Sequence, residues 1–117
     1  MKPFSILIVE DHPFQLMYLQ NLFRELGDFY LECAQDGVQA LACLQRQDFD
    51  LVLTDLLMPG MDGVQFIQKL AALRSRPALA IMSSSSRRML MAASLVARNL
   101  QVNVIGLISK PVQASAL

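Results

Sequence analysis

Five short apolar runs alternate with longer amphipathic stretches, and this alternation constrains the fold more than any other feature. Runs of this length are typical of strands, and several are apolar throughout, as in strands covered on both faces. The runs span residues 4–9, 29–34, 50–54, 78–82 and 104–108. The pattern predicts a (βα)4β chain, which is an α/β domain built on a parallel sheet.

The intervening stretches repeat apolar residues at spacings of three and four, the period of a helix with one buried face. The first predicted helix begins at Pro13 and stops before Gly27, and the third begins at a turn that contains Pro59, Gly60 and Gly63. The apolar residues that mark the second and third helices are Val38, Leu41, Leu44, Val64, Ile67 and Leu70.

The fourth helical stretch, 89–100, is apolar on almost every side, so it is predicted to be either deeply buried or an interface. After the fifth strand only residues 111–117 remain, too few for a further covering helix. We therefore expect the last helix to be absent or truncated. Either the chain is the N-terminal part of a longer regulator or a partner covers this face, and a homodimer is a further expectation.

The chain of 117 residues has room for one domain, and its 54% of hydrophobic and 17% of charged residues fit a globular one, so a single domain over residues 1–117 is expected. Ten basic and ten acidic residues cancel, which argues against direct binding to nucleic acid or an anionic membrane. No apolar run approaches the roughly 20 residues that span a bilayer, and the N-terminal segment does not resemble a signal peptide. A cytoplasmic protein is expected, with Cys33 and Cys43 as reduced core thiols.

Polar side chains follow four of the five predicted strands. Glu10 and Asp11 follow the first strand and Asp55 follows the third, while Ser83 and Lys110 follow the fourth and fifth. Ligands of open parallel sheets bind beyond the carboxyl ends of the strands, so these residues are expected to lie together. Three carboxylates in one crevice repel one another and favour a hard divalent cation, for which Mg2+ is the expected ion.

A hydroxyl and an ammonium on the opposite rim of the crevice would suit a phosphoryl group. Together with the metal, Ser83 and Lys110 would neutralise the oxygens of a phosphoryl group during transfer, and Asp55 would be the nucleophile. Each residue in isolation could instead be a helix cap, a turn residue, a loop residue or a surface charge. Their coincidence at one edge of the sheet favours a functional site.

Four segments together resemble the receiver domain of two-component response regulators: ILIVEDH, LVLTDLLMPGMDG, the strand ending in Ser83, and ISKP. The most specific is DLLMPGMDG, because the family pattern places the phosphoacceptor four residues before a proline and seven before an Asp-Gly turn. The resemblance covers nearly the whole chain. It implies a flavodoxin-like, doubly wound five-stranded parallel sheet with strand order 2-1-3-4-5.

The resemblance also implies a role for each residue of the metal site. Asp55 would accept a phosphoryl group from a histidine kinase or a histidine phosphotransfer protein. Asp11 and Asp55 would ligate Mg2+ directly, Glu10 would act through water, and Leu57 would provide its backbone carbonyl.

By the same resemblance, the chain would be a signalling switch and not an enzyme that turns over external substrates. Ser83 would be the switch hydroxyl and Lys110 its cationic partner. The fourth helix and fifth strand would shift to control an output domain beyond residue 117 or a separate partner. Leu107 stands where receivers commonly have an aromatic residue. The segment LVARNLQVNVIGLISKP resembles receivers fused to cyclic-di-GMP phosphodiesterase (EAL-type) output domains.

Two other functions stay open on the sequence alone. The first is a receiver-like dimerisation or interaction module that works without phosphorylation, which Leu107 and the missing last helix would support. The second is a phosphohydrolase with an aspartyl nucleophile. Such enzymes have a second acid two residues after the nucleophile, where this chain has Leu57.

Overall fold

A computed structural model describes residues 3–56, 63–73, 76–83, 87–110 and 112. The strands are β1 (Ser5–Val9), β2 (Tyr30–Ala34), β3 (Leu51–Asp55), β4 (Ala78–Ser83) and β5 (Val104–Ser109). The helices are α1 (Pro13–Leu26), α2 (Gly37–Arg46), α3 (Gly63–Ala71) and α4 (Arg87–Asn99). Strands and helices alternate strictly, as the sequence pattern predicts.

All the strands are parallel and lie in the order β2-β1-β3-β4-β5, which confirms the predicted doubly wound, flavodoxin-like sheet. The chain winds from β1 to β2 in one direction and from β3 to β5 in the other. The order therefore reverses between β1 and β3, and the connections diverge there. In open α/β sheets this divergence leaves a crevice at the carboxyl ends of the strands.

The sheet is covered on both faces, and alternate residues of each central strand enter different cores. In β1, Leu7 and Val9 pack towards α2, α3 and α4, whereas Ile6 and Ile8 pack towards α1. Burial on both faces explains why the central strands are apolar runs without polar alternation. The buried helical residues of the larger core are Ala40, Cys43, Leu44, Phe66, Ile67, Leu70, Ala71, Leu90, Ala93 and Ala97.

The helix boundaries have local causes. Proline at the first position of α1 has no backbone N–H to leave unsatisfied, and the N–H of Gly27 donates to the carbonyl of Phe23 as the helix ends. At the start of α2, the Asp36 carboxylate accepts a hydrogen bond from the backbone N–H of Gln39 at 2.8 Å. This contact satisfies one of the N–H groups that the first turn of a helix leaves without an intrahelical partner.

The fourth helix is neither fully buried nor fully exposed. It begins at Arg87, two residues before the predicted start, and buries Leu90 and Ala97 on one side. On the other side Met91 and Leu95 are more than half exposed. The apolar sequence of α4 therefore combines a core face with a second, solvent-facing apolar face.

The expectation that apolar strands are buried on both faces is wrong for β5. This strand lies at the edge of the sheet, and its register with β4 shifts between Leu79 and Ala80. Val104 pairs with Leu79 and Gly106 with Ala80, so Ile105 is the extra residue of a bulge and is 58% exposed. The prediction of an absent or truncated last helix concerns residues that, apart from Val112, lie outside the described part of the chain.

Both cysteines are free thiols, as predicted. Cys43 belongs to the core beneath α2, and Cys33 packs against the core beneath α1, so the two lie on opposite faces of the sheet. In the part of the chain that the structure describes, no helix has the length and apolar character needed to cross a bilayer.

The burial of one face of α3 predicts that substitutions at two neighbouring positions differ strongly in their effect on stability. Replacing the fully buried Ile67 by alanine should lower the free energy of unfolding by about 2 to 5 kcal/mol, because it leaves a cavity under the sheet. The matched control, Gln68→Ala, removes an exposed side chain and should change stability by less than about 0.5 kcal/mol. Urea unfolding followed by circular dichroism measures both, and equal midpoints for the two variants would contradict this packing.

The cap of α2 predicts a second effect on stability. Asp36→Ala removes the acceptor for the Gln39 N–H and should destabilise the protein by about 1 kcal/mol. Asp36→Asn keeps a side-chain oxygen at the cap and should lose much less. The same urea titration measures both changes. Equal losses in the two variants would show that the carboxylate acts through its charge and not as a cap.

Candidate functional site

The candidate site lies at the carboxyl edge of the sheet, where backbone hydrogen bonds fix the residues that follow the strands. Glu10 follows β1, and its N–H donates to the carbonyl of Ala34 at 3.0 Å. The N–H of Lys110 donates to the carbonyl of Ser83, also at 3.0 Å. Asp55 is the last residue of β3. Each of these side chains therefore starts from a backbone that the sheet holds in place.

The ammonium of Lys110 lies at the centre of the site. Its Nζ is 2.9 and 3.0 Å from the two carboxylate oxygens of Glu10 and 2.7 Å from Oδ2 of Asp55. The Glu10 side chain is 1% exposed and those of Lys110 and Asp55 about a tenth. Removing one partner of such a buried group leaves an uncompensated charge, so the three side chains stabilise one another as a unit.

The surroundings shift the pKa values of both Glu10 and Lys110. Burial raises the pKa of Glu10 to about 7, helped by its hydrogen bond with Asp55 and opposed by Lys110. Burial alone would lower the pKa of Lys110, but its hydrogen bonds to Asp55 and Glu10 outweigh this effect and raise it. Lys110 is therefore a permanent cation near neutral pH, while Glu10 is close to the point where it binds a proton.

A third carboxylate, that of Asp11, lies at the exposed side of the site. Glu10, Asp11 and Asp55 each offer one carboxylate oxygen, and these oxygens lie within 4.8 Å of one another. Oxygen ligands in a group of this size suit a hard divalent cation such as Mg2+. The residues present therefore fit the ion that the sequence predicts.

The structure brings Glu10, Asp11, Asp55 and Lys110 together as predicted, with one difference. Lys110 was expected on the opposite rim from the carboxylates, but it lies between Glu10 and Asp55. The reason is electrostatic, since an ammonium in this position offsets the repulsion of two buried carboxylates. The predicted ligand Leu57 lies outside the described residues.

Ser83 is the last residue of β4 and is fully buried. A backbone hydrogen bond from Lys110 links it to the site, and its partner on β5 is Ser109. The β5 bulge shifts the register between β4 and β5. Lys110 therefore comes directly after Ser109, the residue that pairs with Ser83. The serine and the lysine therefore occupy adjacent strand ends.

Among the residues that the structure describes, Gln15 belongs to the site and was missed by sequence reasoning. Its Oε1 accepts a hydrogen bond from Lys110 Nζ at 2.6 Å. Gln15 lies in the first turn of α1, at the end of the helix that meets the carboxyl edge of the sheet. A polar residue three positions after the N-cap could have indicated this contact, because the first turn follows the β1 loop directly.

Comparisons with known proteins agree with this arrangement. The profile of the response regulator receiver domain matches residues 6–117. Chemotaxis protein CheY-3 of Vibrio cholerae is 36% identical over 119 residues, covering 99% of this chain and 87% of the relative. Chemotaxis protein CheY of Pseudomonas aeruginosa is 33% identical over 116 residues, covering 97% of this chain and 89% of the relative.

A solved structure supports the fold independently. The signal receiver domain of an HD domain-containing protein from Pseudomonas fluorescens superposes with a TM-score of 0.84 at 23% identity, covering 98% of this chain and 87% of that one. Receivers are phosphoacceptors in signalling and act as switches, not as enzymes that turn over external substrates. From its sequence match and the strand order it shares with these proteins, the chain belongs to the family of response regulator receiver domains.

Proposed function

We propose that this chain is a cytoplasmic switch that accepts a phosphoryl group on Asp55 from a histidine kinase or a histidine phosphotransfer protein. The observation that supports this most is the contact of Asp55 Oδ2 with Lys110 Nζ at 2.7 Å, inside a group of three carboxylates at the sheet edge. A carboxylate beside a fixed cation at an open strand end can act as a nucleophile on phosphorus.

The transfer step forms one bond and breaks another. An Asp55 carboxylate oxygen attacks the phosphorus of a phosphohistidine, and an O–P bond forms as the P–N bond breaks. The electron pair of the broken bond stays on the imidazole nitrogen of the donor, which then takes up a proton from water. The products are an aspartyl phosphate on this chain and a neutral histidine on the donor.

We infer that Mg2+ would be held by Asp11 and Asp55 directly, by Glu10 through water and by the carbonyl of Leu57. The cation would offset the negative charge on the transferred phosphoryl oxygens. The clustering of three carboxylate oxygens within 4.8 Å supports this assignment. The Glu10 carboxyl, with a pKa of about 7, would lose its proton more readily beside such an ion.

Lys110 would exchange its contact with the Asp55 carboxylate for a contact with an oxygen of the phosphoryl group. Its pKa is raised above the ordinary value, so it stays charged throughout. The hydroxyl of Ser83 would move to a second phosphoryl oxygen. The Lys110 N–H to Ser83 carbonyl bond supports this pairing, because it keeps the two residues on adjoining strand ends.

The exposed apolar surface of α4 and β5 would transmit the change to an output domain, a separate partner or a second copy. Met91 and Leu95 lie one helical turn apart on α4, and Ile105 and Leu107 are exposed on β5. Leu107 is aliphatic where receivers commonly have an aromatic residue, so a flipping ring at this position cannot report the phosphorylation. A shift of α4 against β5 is the alternative route.

The proposed phosphorylation has a direct test by intact-protein mass spectrometry. After incubation with a small-molecule phosphodonor, we expect one phosphoryl adduct that requires Mg2+ and is lost on treatment with hydroxylamine, as an acyl phosphate should be. Asp55→Asn should give no adduct, because an amide does not attack phosphorus. Measurement of wild type and Asp55→Asn, each with and without Mg2+, separates the requirement for the metal from the requirement for the carboxylate.

Two results would count against this function. An adduct that persists in Asp55→Asn would place the acceptor elsewhere. A folded protein that binds Mg2+ but forms no adduct would favour an interaction module that works without phosphorylation.

The metal assignment predicts a specific loss of affinity. Asp11→Asn should weaken Mg2+ binding by about tenfold or more, because it removes one negative charge from the ligand group. Asp28→Asn removes an exposed carboxylate outside that group and should leave the affinity unchanged. Isothermal titration with MgCl2 measures both variants. Equal affinities for Asp11→Asn and wild type would remove Asp11 from the site.

A further inference from the structure

Helix α1 contacts the segment around Lys110 through two polar side chains that the phosphoryl-transfer chemistry does not use. Gln15 Oε1 accepts from Lys110 Nζ at 2.6 Å, and the Tyr18 hydroxyl donates to the carbonyl of Val112 at 2.6 Å. Residues three apart lie on the same face of a helix. Both contacts join positions more than ninety residues apart in the chain.

The contact with Gln15 completes the hydrogen bonding of the ammonium. A lysine Nζ has three N–H donors. Its acceptors here are the carboxylate of Glu10, Asp55 Oδ2 and Gln15 Oε1, one group for each donor. Without the Gln15 amide, one N–H would turn to water, and only the carboxylates of Glu10 and Asp55 would hold the position of the ammonium.

The contact with Tyr18 restrains the backbone two residues beyond the lysine. Val112 lies two residues after Lys110, is buried and packs in the core beneath α1. The hydroxyl of Tyr18 therefore holds the backbone that follows the lysine, whereas Gln15 holds its charged end. Lysine has a flexible four-carbon side chain, and a restraint on its charged end together with one on the nearby backbone reduces the freedom it would otherwise keep.

We propose that Gln15 and Tyr18, together the α1 clamp, are positioning residues that set the place of Lys110 Nζ and so the rate of phosphoryl transfer to Asp55. The effect on rate rests on the proposed function, but the effect on the lysine does not. Small displacements of a group that stabilises a transition state reduce the rate strongly, because the group must return to its position beside the reacting atoms before each transfer. The clamp also links the first helix to the site.

Gln15 is suited to a clean test because its role is separable from folding. It is exposed and outside both cores. Gln15→Met keeps the length and helix propensity of the side chain and removes only its polar end. The matched control is Gln20→Met on the same helix, where Nε2 donates to Cys33 Sγ at 3.0 Å and not to Lys110.

The first measurement is the ammonium signal of Lys110 in a protein labelled with 15N-lysine. The chain has three lysines: Lys2, Lys69 and Lys110. Lys69 is exposed, and an ammonium in contact with water exchanges its protons too fast to detect. We expect a slowly exchanging signal in the wild type that is absent from Lys110→Arg. It should persist in Gln20→Met and broaden or disappear in Gln15→Met.

The second measurement is the rate of Asp55 phosphorylation by a small-molecule donor at saturating Mg2+. Gln15→Met should lower the maximal rate by about tenfold, the effect of one hydrogen bond to a charged group, with donor and Mg2+ affinities unchanged. Tyr18→Phe, which removes only the hydroxyl, should lower the rate in the same direction. A purely structural role would lower stability and leave this rate unchanged in the folded protein.

The proposed role of the α1 clamp is wrong if Gln15→Met keeps both the Lys110 ammonium signal and the wild-type rate of phosphorylation. It is also wrong if the wild type has no Lys110 ammonium signal. An equal loss of rate in Gln20→Met would overturn it too, because the effect would then belong to α1 in general. If the wild type accepts no phosphoryl group, the proposed function fails, and the ammonium signal alone decides whether Gln15 positions Lys110.

Discussion

The buried ammonium of Lys110 is the interaction on which the site depends. Without it, the carboxylates of Glu10 and Asp55 would face each other in a poorly solvated crevice, where like charges repel strongly. With it, two acidic groups can be kept together at the sheet edge. The same cation is then in place when negative charge arrives on Asp55, so one residue holds the resting site together and prepares it for a phosphoryl group.

The strand order explains why these residues meet. β1 and β3 are neighbours at the point where the sheet reverses its winding direction, which places Glu10 beside Asp55. Lys110 comes from the edge strand β5, two strands away from β3, and its long side chain crosses β4 to reach them. The β5 bulge sets where that side chain begins, because it shifts the register with β4 before the strand ends. An irregularity in an edge strand thus contributes to the geometry of the site.

Much of the fold could be predicted from local patterns, and the site could be predicted in outline. Apolar runs and helical spacing depend on which faces are buried, so the elements and the residues after each strand follow from the sequence. The position of Lys110 between the carboxylates, the bulge at Ile105 and the contact of Gln15 could not be predicted. They depend on register and on contacts between residues far apart in sequence, and Gln15 alone resembles any exposed helical glutamine.

The most direct test of the account is a crystal structure of the chain with Mg2+ and beryllofluoride, a tetrahedral analogue of a phosphoryl group. We predict beryllium bonded to an Asp55 carboxylate oxygen, with Lys110 Nζ in contact with a fluoride and Mg2+ on Asp11 and Asp55. A structure with the analogue bound to another residue, or with Lys110 turned away from it, would contradict the central role given to the lysine.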